Sequence, residues 1–295
     1  MTLMRTVLFA ACLTLTACGD AASDNESKQE PALPRGMRTV PPLTNADAAP
    51  PRVPFDATTP LVLVKAVQTL PHDTLAYTQG LVTDGKRLFE STGLFEKSDV
   101  RVLNATTGVA LKKVALPPSD FGEGIALLDA RLYQVTWKTG RGYVYNANTL
   151  ERVDSLRYDG EGWGLTTDGT LLYLSDGSNS IRVLERRGFR VTRRITVTEG
   201  GKPVPMLNEL EWVRGELWAN VYETDFVARI DPLSGRVVGW LDLSALLSAE
   251  QKFRVKLRGG VANGIAWDAA RHRVAITGKF WPSLFYISEP ASLGK

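Results

Sequence analysis

A short segment recurs along this chain and limits what the chain can fold into. Its copies are anchored at positions 79, 123, 163, 209 and 263, so the steps between them are 44, 40, 46 and 54 residues. The copies are Gln79–Gly85, Glu123–Ala126, Trp163–Gly169, the looser Glu209–Trp212, and Asn263–Ala266. A period in the forties with about four short strands per unit is typical of a β-propeller. Five copies therefore predict five blades.

The residues between the anchors have the pattern of short β-strands. Apolar and β-branched runs such as Val100–Leu103 and Ile181–Leu184 alternate with turn dipeptides such as Asp84-Gly85, which is the pattern of half-buried strands. Helical periodicity occurs only around Leu243 to Phe253. We predict an all-β fold, a five-bladed β-propeller whose ring closes when the N-terminal strand at about 61–67 pairs with the last blade and removes open sheet edges. An open β-sandwich or barrel is the alternative, but neither predicts the repeat.

The composition is that of an ordinary globular protein. The chain has 295 residues, 44% hydrophobic and 23% charged, with 35 basic and 32 acidic residues. That balance offers no basic stripe, so we expect no nucleic-acid partner. His72 and His272 have no Glu or Cys at ligand spacing, and we predict that both lie on the surface. Trp212, Trp240 and Trp267 are predicted to pack between blades.

The first residues predict export and lipid attachment. Arg5 precedes an apolar run, Thr6–Leu15, that is too short to span a bilayer. The run ends in Leu15-Thr16-Ala17-Cys18, which resembles a bacterial lipobox; an ordinary secretory signal is the alternative. We expect a signal peptide at 1–17, a lipidated Cys18 that opens a disordered tether at 18–54, and the propeller at 55–295. Membrane contact is expected through Cys18 only, with the domain facing the periplasm, and Gly19 favours the outer membrane.

The anchors themselves predict a functional site. If each anchor begins an innermost strand, different side chains converge on one mouth of the central channel. They are Gln79, Glu123, Trp163, Asn208 or Glu209, and Asn263. A purely structural repeat would repeat one residue type, whereas varied chemistry on a constant frame indicates a site. From the residues alone, Glu123 between its two glycines is equally a turn carboxylate or a presented acid/base.

Seven motifs, in this order and at these spacings, carry a family resemblance. They are Tyr77–Leu81, Gly122–Gly124, Glu161–Leu165, Leu207–Trp212, Trp218–Tyr222, Asn263–Ala266 and Thr277–Trp281. Together they resemble the plant-type glutaminyl-peptide cyclotransferases, which also occur in bacteria, from about residue 62 to the C-terminus. The resemblance implies a five-bladed propeller that converts an N-terminal glutamine to pyroglutamate and releases ammonia. The implied substrate is the exposed N-terminus of a peptide or protein.

The resemblance also implies roles for individual residues. Glu123 is expected to move protons as acid and base, and Lys279 to donate to the developing oxyanion. The remaining side chains are expected to hold or enclose the substrate: Gln79, Asn208, Glu209, Asn263, Tyr77, Trp137, Trp163 and Tyr222. Tyr222 stands where plant members carry Trp, so we expect altered substrate fit. The roles of Glu161, Glu209 and Glu211 stay open, because one of them could only cap strands.

We expect no organic cofactor, no catalytic metal and a monomer. Some plant members hold a structural metal in the channel, but this sequence offers no convincing ligand set for one. Two other classes of function stay open. One is a non-enzymatic propeller that scaffolds envelope proteins, and the other is a metal-dependent hydrolase of the lactonase type.

Overall fold

The backbone forms short strands throughout residues 53 and 55–290, the part of the chain that the computed structural model describes. The predicted signal peptide, the lipidated Cys18 and almost all of the tether lie outside these residues. The elements, in chain order, are β1 (Leu61–Leu63), β2 (Ala66–Pro71), β3 (Thr78–Thr83), β4 (Arg87–Thr92), β5 (Asp99–Asn104), β6 (Ala110–Ala115), β7 (Gly122–Leu128), β8 (Arg131–Thr136), β9 (Arg141–Asn146), β10 (Arg152–Arg157), β11 (Leu165–Thr167), β12 (Leu171–Leu174), β13 (Ser180–Glu185), β14 (Val191–Thr196), β15 (Thr198–Glu199), β16 (Lys202–Pro203), β17 (Leu207–Val213), β18 (Glu216–Val221), β19 (Phe226–Ile230), β20 (Val237–Asp242), α1 (Ala249–Leu257), β21 (Ala262–Asp268), β22 (Arg273–Gly278) and β23 (Ser283–Ser288).

The strands form five antiparallel blades arranged in a ring. The blades are β3–β6, β7–β10, β11–β14, β17–β20, and β21–β23 completed by β2. Each innermost strand (β3, β7, β11, β17, β21) contacts the next, and β21 contacts β3. Buried apolar clusters lie between neighbouring blades; one, for example, joins Trp218 of the fourth blade to Ile265 of the fifth. The five-bladed β-propeller predicted from the repeat is therefore present.

The N-terminal strands differ in detail from the prediction. The segment that pairs with the last blade is β2, antiparallel to β23, with Leu70 opposite Leu284. Leu61–Leu63 instead adds a parallel fifth strand to the outer edge of the fourth blade, beside β20. The predicted pairing segment, 61–67, thus divides between two blades. Apolar alternation identifies such a segment as strand but does not say which neighbour it joins.

The helix begins later than its periodicity predicts. Ser248 accepts a hydrogen bond from the backbone of Gln251, whose side chain in turn accepts from the backbone of Ser248. This capping box starts α1 at Ala249. In the described residues no helix is long and apolar enough to cross a membrane. Trp240 is fully buried, and Trp212 and Trp267 pack against clusters between blades, as predicted.

One face of the ring carries the functional loops. Because the strands of a blade alternate in direction, loops entering an innermost strand emerge at the same face as loops joining its second strand to its third. Every anchor lies next to a loop of the first set, at or near the start of its innermost strand. In β3, β7, β17 and β21 the strand register also shifts at the anchor, for instance between Gly122 and Ile125. A bulge of this kind turns a side chain away from the regular alternation, here at the mouth of the channel.

Candidate active site

Glu123 lies at the bulge of β7, between two glycines that must be glycine. A Cβ on Gly122 would lie 2.6 Å from the Thr92 carbonyl oxygen, and one on Gly124 would lie 2.3 Å from the Leu165 backbone nitrogen. Gly124 also donates a 2.6 Å hydrogen bond to the Trp163 carbonyl oxygen. Gly122 therefore lets the first and second blades approach closely, and Gly124 does the same for the second and third blades.

A chain of amide hydrogen bonds holds that carboxylate. Gln79 Nε2 donates to Glu123 Oε1 at 2.9 Å. Asn263 Nδ2 donates to Gln79 Oε1 at 3.0 Å and to the Thr78 carbonyl oxygen at 3.0 Å. Because a carbonyl can only accept, Asn263 fixes the orientation of the Gln79 amide, and Gln79 can then only donate to Glu123. Three anchors from three blades thus meet in one network.

The environment of Glu123 favours the protonated form. Its side chain is 4% exposed, and burial raises its pKa well above the ordinary value, opposed by the positive charge of Lys279 and reinforced by Glu161. Such a carboxyl binds a proton more readily than a surface glutamate does. It is therefore suited to take a proton from one group and return it to another.

Lys279 extends from the loop after β22 into the same space. It is 2% exposed. Its Nζ lies 4.6 Å from the centre of the Tyr77 ring and 4.7 Å from that of Tyr222. Burial lowers its pKa to about 8, while Glu123 and Glu223 act in the opposite direction. The result is a cation held by ring faces, close enough to Glu123 that each influences the protonation of the other.

Aromatic side chains enclose these polar groups. This cluster, called the aromatic cage below, consists of Tyr77, Phe121, Trp137, Trp163 and Phe280, with Leu94, Met206 and Tyr222 packed against it. Its rings meet edge to face, with centroids 5.5 Å apart for Phe121 and Trp137 and 5.7 Å apart for Trp163 and Tyr222. An apolar wall around a few directed polar groups is the usual form of a small-ligand pocket.

Glu161 orients both tryptophans of the cage. Its Oε2 accepts a 2.9 Å hydrogen bond from Trp137 Nε1 and a 3.0 Å hydrogen bond from Trp163 Nε1. The sequence assigned no role to Glu161, yet in Gly160-Glu161-Gly162 it lies between two glycines as Glu123 does. That pattern is the signal that could have drawn it into the predicted site.

Comparison with known proteins agrees with this geometry. A family model described as glutamine cyclotransferase matches residues 40–288. This chain belongs to the glutamine cyclotransferase family. It is 41% identical over 231 residues to a glutaminyl-peptide cyclotransferase of Arabidopsis thaliana, spanning 76% of this chain and 70% of that protein. The crystal structure of Myxococcus xanthus glutaminyl cyclase superposes with a TM-score of 0.70 at 33% identity, covering 78% of this chain and 97% of that one.

In this cyclotransferase-family chain, two other buried glutamates join blades together. Glu209 accepts from the Leu81 backbone nitrogen at 3.1 Å through Oε1 and from that of Ile265 at 2.9 Å through Oε2. Glu211 accepts from the Trp267 backbone nitrogen at 2.7 Å. Burial raises the pKa of both, that of Glu211 to about 8. The predicted substrate contact of Glu209 stays untested, and its two oxygens already have backbone donors.

Asn208 and Asn263 keep unused hydrogen-bonding capacity. Among the described residues, the Oδ1 atoms of both are buried and have no hydrogen-bond partner. A buried acceptor without a donor is costly, so these atoms are the natural places for a polar group of a bound molecule. Within residues 55–290, no group of three or more His, Cys, Asp and Glu side chains is placed to hold a metal ion.

The prediction for His72 is wrong. His72 is buried, with 8% of its surface exposed, and it contacts the buried Glu90. His272 does lie on the surface, with 70% of its side chain exposed. Its partners are Glu90, 18 residues away, and the Trp281 carbonyl oxygen, 209 residues away, and neither separation follows a spacing that a local sequence pattern indicates.

Proposed function

We propose that this chain is a glutaminyl-peptide cyclotransferase, which converts the N-terminal glutamine of a peptide or protein to pyroglutamate and releases ammonia. The observation that carries the proposal is the carboxyl group of Glu123, buried in the aromatic cage, held by Gln79 and influenced by Lys279. Family membership and the names of the two relatives support the same reaction.

The reaction takes place within one residue. The α-amine nitrogen bonds to the side-chain carbonyl carbon, a tetrahedral intermediate forms, and the bond from that carbon to the amide nitrogen breaks. Nucleophile and electrophile already belong to one residue, so holding the side chain folded back supplies much of the rate. The clustered rings of Phe121, Trp137 and Trp163 suit that task, because they offer apolar surface against which the glutamine side chain can pack.

Glu123 would carry the proton between the two nitrogens. The attacking amine loses a proton and the leaving amide nitrogen must gain one, so a single carboxylate near both can perform both transfers. Gln79 engages Oε1, which leaves Oε2 for the substrate. The raised pKa of Glu123 makes its carboxylate a stronger base than an exposed one.

Lys279 would stabilise the negative oxygen of the intermediate. With its pKa lowered to about 8, the amine is mostly charged at neutral pH. A preorganised cation in a site that excludes water stabilises developing charge far more than it would in bulk solvent. The unused acceptors of Asn208 and Asn263 would receive N–H groups of the bound N-terminus.

The test is an ammonia-release assay with a short peptide that begins with glutamine, run with and without a chelator. We expect release that survives chelation and is lost in Glu123→Gln. Glu151→Gln is the matched control, because Glu151 is exposed on a turn at the opposite face. A folded protein that releases no ammonia from any such peptide would leave the scaffold as the better account. Ammonia release abolished by the chelator would mean that the reaction needs a metal ion.

Lipid attachment is a second part of the proposal. The motif Leu15-Thr16-Ala17-Cys18 after an apolar run supports acylation of Cys18 and a domain that faces the periplasm, with Gly19 favouring the outer membrane. We expect the wild-type protein in the membrane fraction of bacterial cells. Cys18→Ser should shift it to the soluble fraction or leave an uncleaved precursor, whereas Cys12→Ser should change neither. Equal fractionation and equal processed size of wild type and Cys18→Ser would refute the lipid anchor.

A further inference from the structure

The loop that carries Lys279 is tied to the segment that leads into the first blade. This loop, 279–282, joins β22 to β23. The Phe280 nitrogen donates to the Ala76 carbonyl oxygen at 2.7 Å, and the His72 nitrogen donates to the Pro282 carbonyl oxygen at 3.0 Å. The loop is thus held by the segment 72–76, which leads from β2 in its own blade to β3 in the first blade.

The side chain of His72 adds a third tie. Its Nδ1 lies 2.9 Å from the Trp281 carbonyl oxygen, and its Nε2 lies 2.9 Å from Glu90 Oε1. A carbonyl oxygen can only accept, so Nδ1 carries a proton. An ionised Glu90 also only accepts, so Nε2 carries one as well. Both bonds are made together only by the imidazolium form of His72.

Glu90 and its surroundings favour that form. The Glu90 side chain is fully buried and also accepts from Thr78 Oγ1 at 2.7 Å, next to the site residue Gln79. Arg101 lies 3.9 Å from Glu90 and forms a two-point ion pair with Asp99, at 2.6 Å for each bond.

The charges that face His72 are therefore Glu90 from β4, the neighbouring Asp73, and the Arg101 and Asp99 pair from β5. Burial by itself lowers the pKa of His72, but Glu90, the Trp281 carbonyl oxygen and Asp73 together outweigh it, and the pKa lies above the ordinary value. The pKa of Glu90 is lowered, since His72 and Arg101 together outweigh its burial.

We propose that His72 is a positioning residue for the reaction: its imidazolium, held by Glu90, fixes the loop that places Lys279 at the site. This rests on the proposed function. His72 touches neither the aromatic cage nor Glu123 through any hydrogen bond in the described residues. It acts through the Trp281 carbonyl oxygen, two residues after Lys279.

The expected signature is a loss of kcat with little change in KM. Lys279 is assigned to the charge of the intermediate, and a misplacement of about 1 Å at a reacting centre can cost about a hundredfold in rate. Binding of the glutamine residue depends on the amides and on the cage, of which Phe280 alone lies on this loop, and the Phe280 nitrogen keeps its own bond to the Ala76 carbonyl oxygen. His72→Gln keeps one donor but loses the charge and the second bond, so we expect kcat to fall by about tenfold to a hundredfold.

The test is a double-mutant cycle on the full chain, with a glutamine-initiated peptide and product detected by mass. His72→Gln should lower kcat at least about tenfold in the wild-type background, with KM within about threefold. In the Lys279→Met background it should cause little further loss, because two residues that act as a unit are not additive. His272→Gln, at the exposed histidine, is the matched control and should equal wild type.

Several results would overturn the proposal. One is a folded His72→Gln protein with unchanged kcat, and another is an equal loss in the Lys279→Met background, which would mark a general effect on the structure. If His72→Gln does not fold, Glu90→Gln is measured against the same criteria; if neither folds, the pair serves folding and the proposal fails. Inactive wild type with folded protein would instead refute the proposed function.

Discussion

The charge of Lys279 should set the alkaline limit of activity. Its pKa is lowered from 10.5 to about 8. A lysine is charged below its pKa, so stabilisation of the oxyanion is present at neutral pH and is lost as pH rises through that value. With a pKa of about 8, roughly nine-tenths of the amine is charged at pH 7 and roughly one-tenth at pH 9, so kcat should fall about tenfold between them.

Lys279→Arg is the informative perturbation. A guanidinium stays charged well above pH 10, so the variant should lose the alkaline fall in kcat, although its larger head group should lower the rate at pH 7. The assay is kcat at saturating glutamine peptide between pH 6 and 10, since kcat/KM also reports titration of the substrate amine. Circular dichroism at each pH checks that the protein stays folded.

Lys138→Arg is the matched control. Lys138 lies at the same mouth, with its Nζ 4.0 Å from the centre of the Trp137 ring, but it is exposed and outside the cage. It should keep the wild-type pH profile. The reasoning is refuted if Lys279→Arg retains the fall near pH 8, or if wild type shows none below pH 10.

Three further outcomes follow from the buried contacts. Glu161→Ala leaves both indole N–H groups of the cage without their acceptor, and it should raise KM for a glutamine peptide about tenfold, or about 1.4 kcal/mol. Glu161→Gln keeps an acceptor and should raise KM less. Glu209→Ala should lower the free energy of unfolding by about 2–4 kcal/mol, measured by urea denaturation, because two buried backbone donors lose their acceptor. Gly124→Ala should destabilise the domain by about 3 kcal/mol in the same assay, because a Cβ there meets the Leu165 backbone.

Each of these has a clear contrary result. Equal KM values for wild type and Glu161→Ala would mean that the tryptophans keep their orientation without the carboxylate. For Glu209, Glu151→Ala is the exposed control, and equal stability of the two variants would contradict the assigned role. A Gly124→Ala protein as stable as wild type would show that the second and third blades do not need their close contact.

The repeat predicted the blades because each innermost strand meets the same local demand. In four of the five copies a glycine follows the anchor where two inner strands approach closely, as Gly124 does beside Leu165. This requirement falls on a residue next to the anchor, so it is visible in the sequence. Gln79, Glu123 and Asn263 were predicted to converge for the same reason, and hydrogen bonds join them.

What could not be predicted depends on partners far away along the chain. The glycines on either side of Glu161 point to a site residue, but nothing in the sequence shows that it binds two indoles, or that Glu209 and Glu211 bind backbone nitrogens. The donor to Glu209 Oε1 is 128 residues away, and His72 meets Trp281 across 209 residues. Local pattern shows that such a side chain points inward or occupies a turn. Its hydrogen-bond partner is set by the closed ring.

The bonds of Glu209 reach across the axis of the propeller. Its own strand belongs to the fourth blade, while its donors, Ile265 and Leu81, belong to the fifth and the first. A blade held only by its two neighbours could open outward alone, as a unit at the end of a repeat array does. Here, separating the fourth blade also breaks a bond to the first, which is not its neighbour. Opening of any of these three blades is therefore coupled to the other two. The domain should unfold as one cooperative unit, and the mouth of the channel should stay rigid until the ring unfolds.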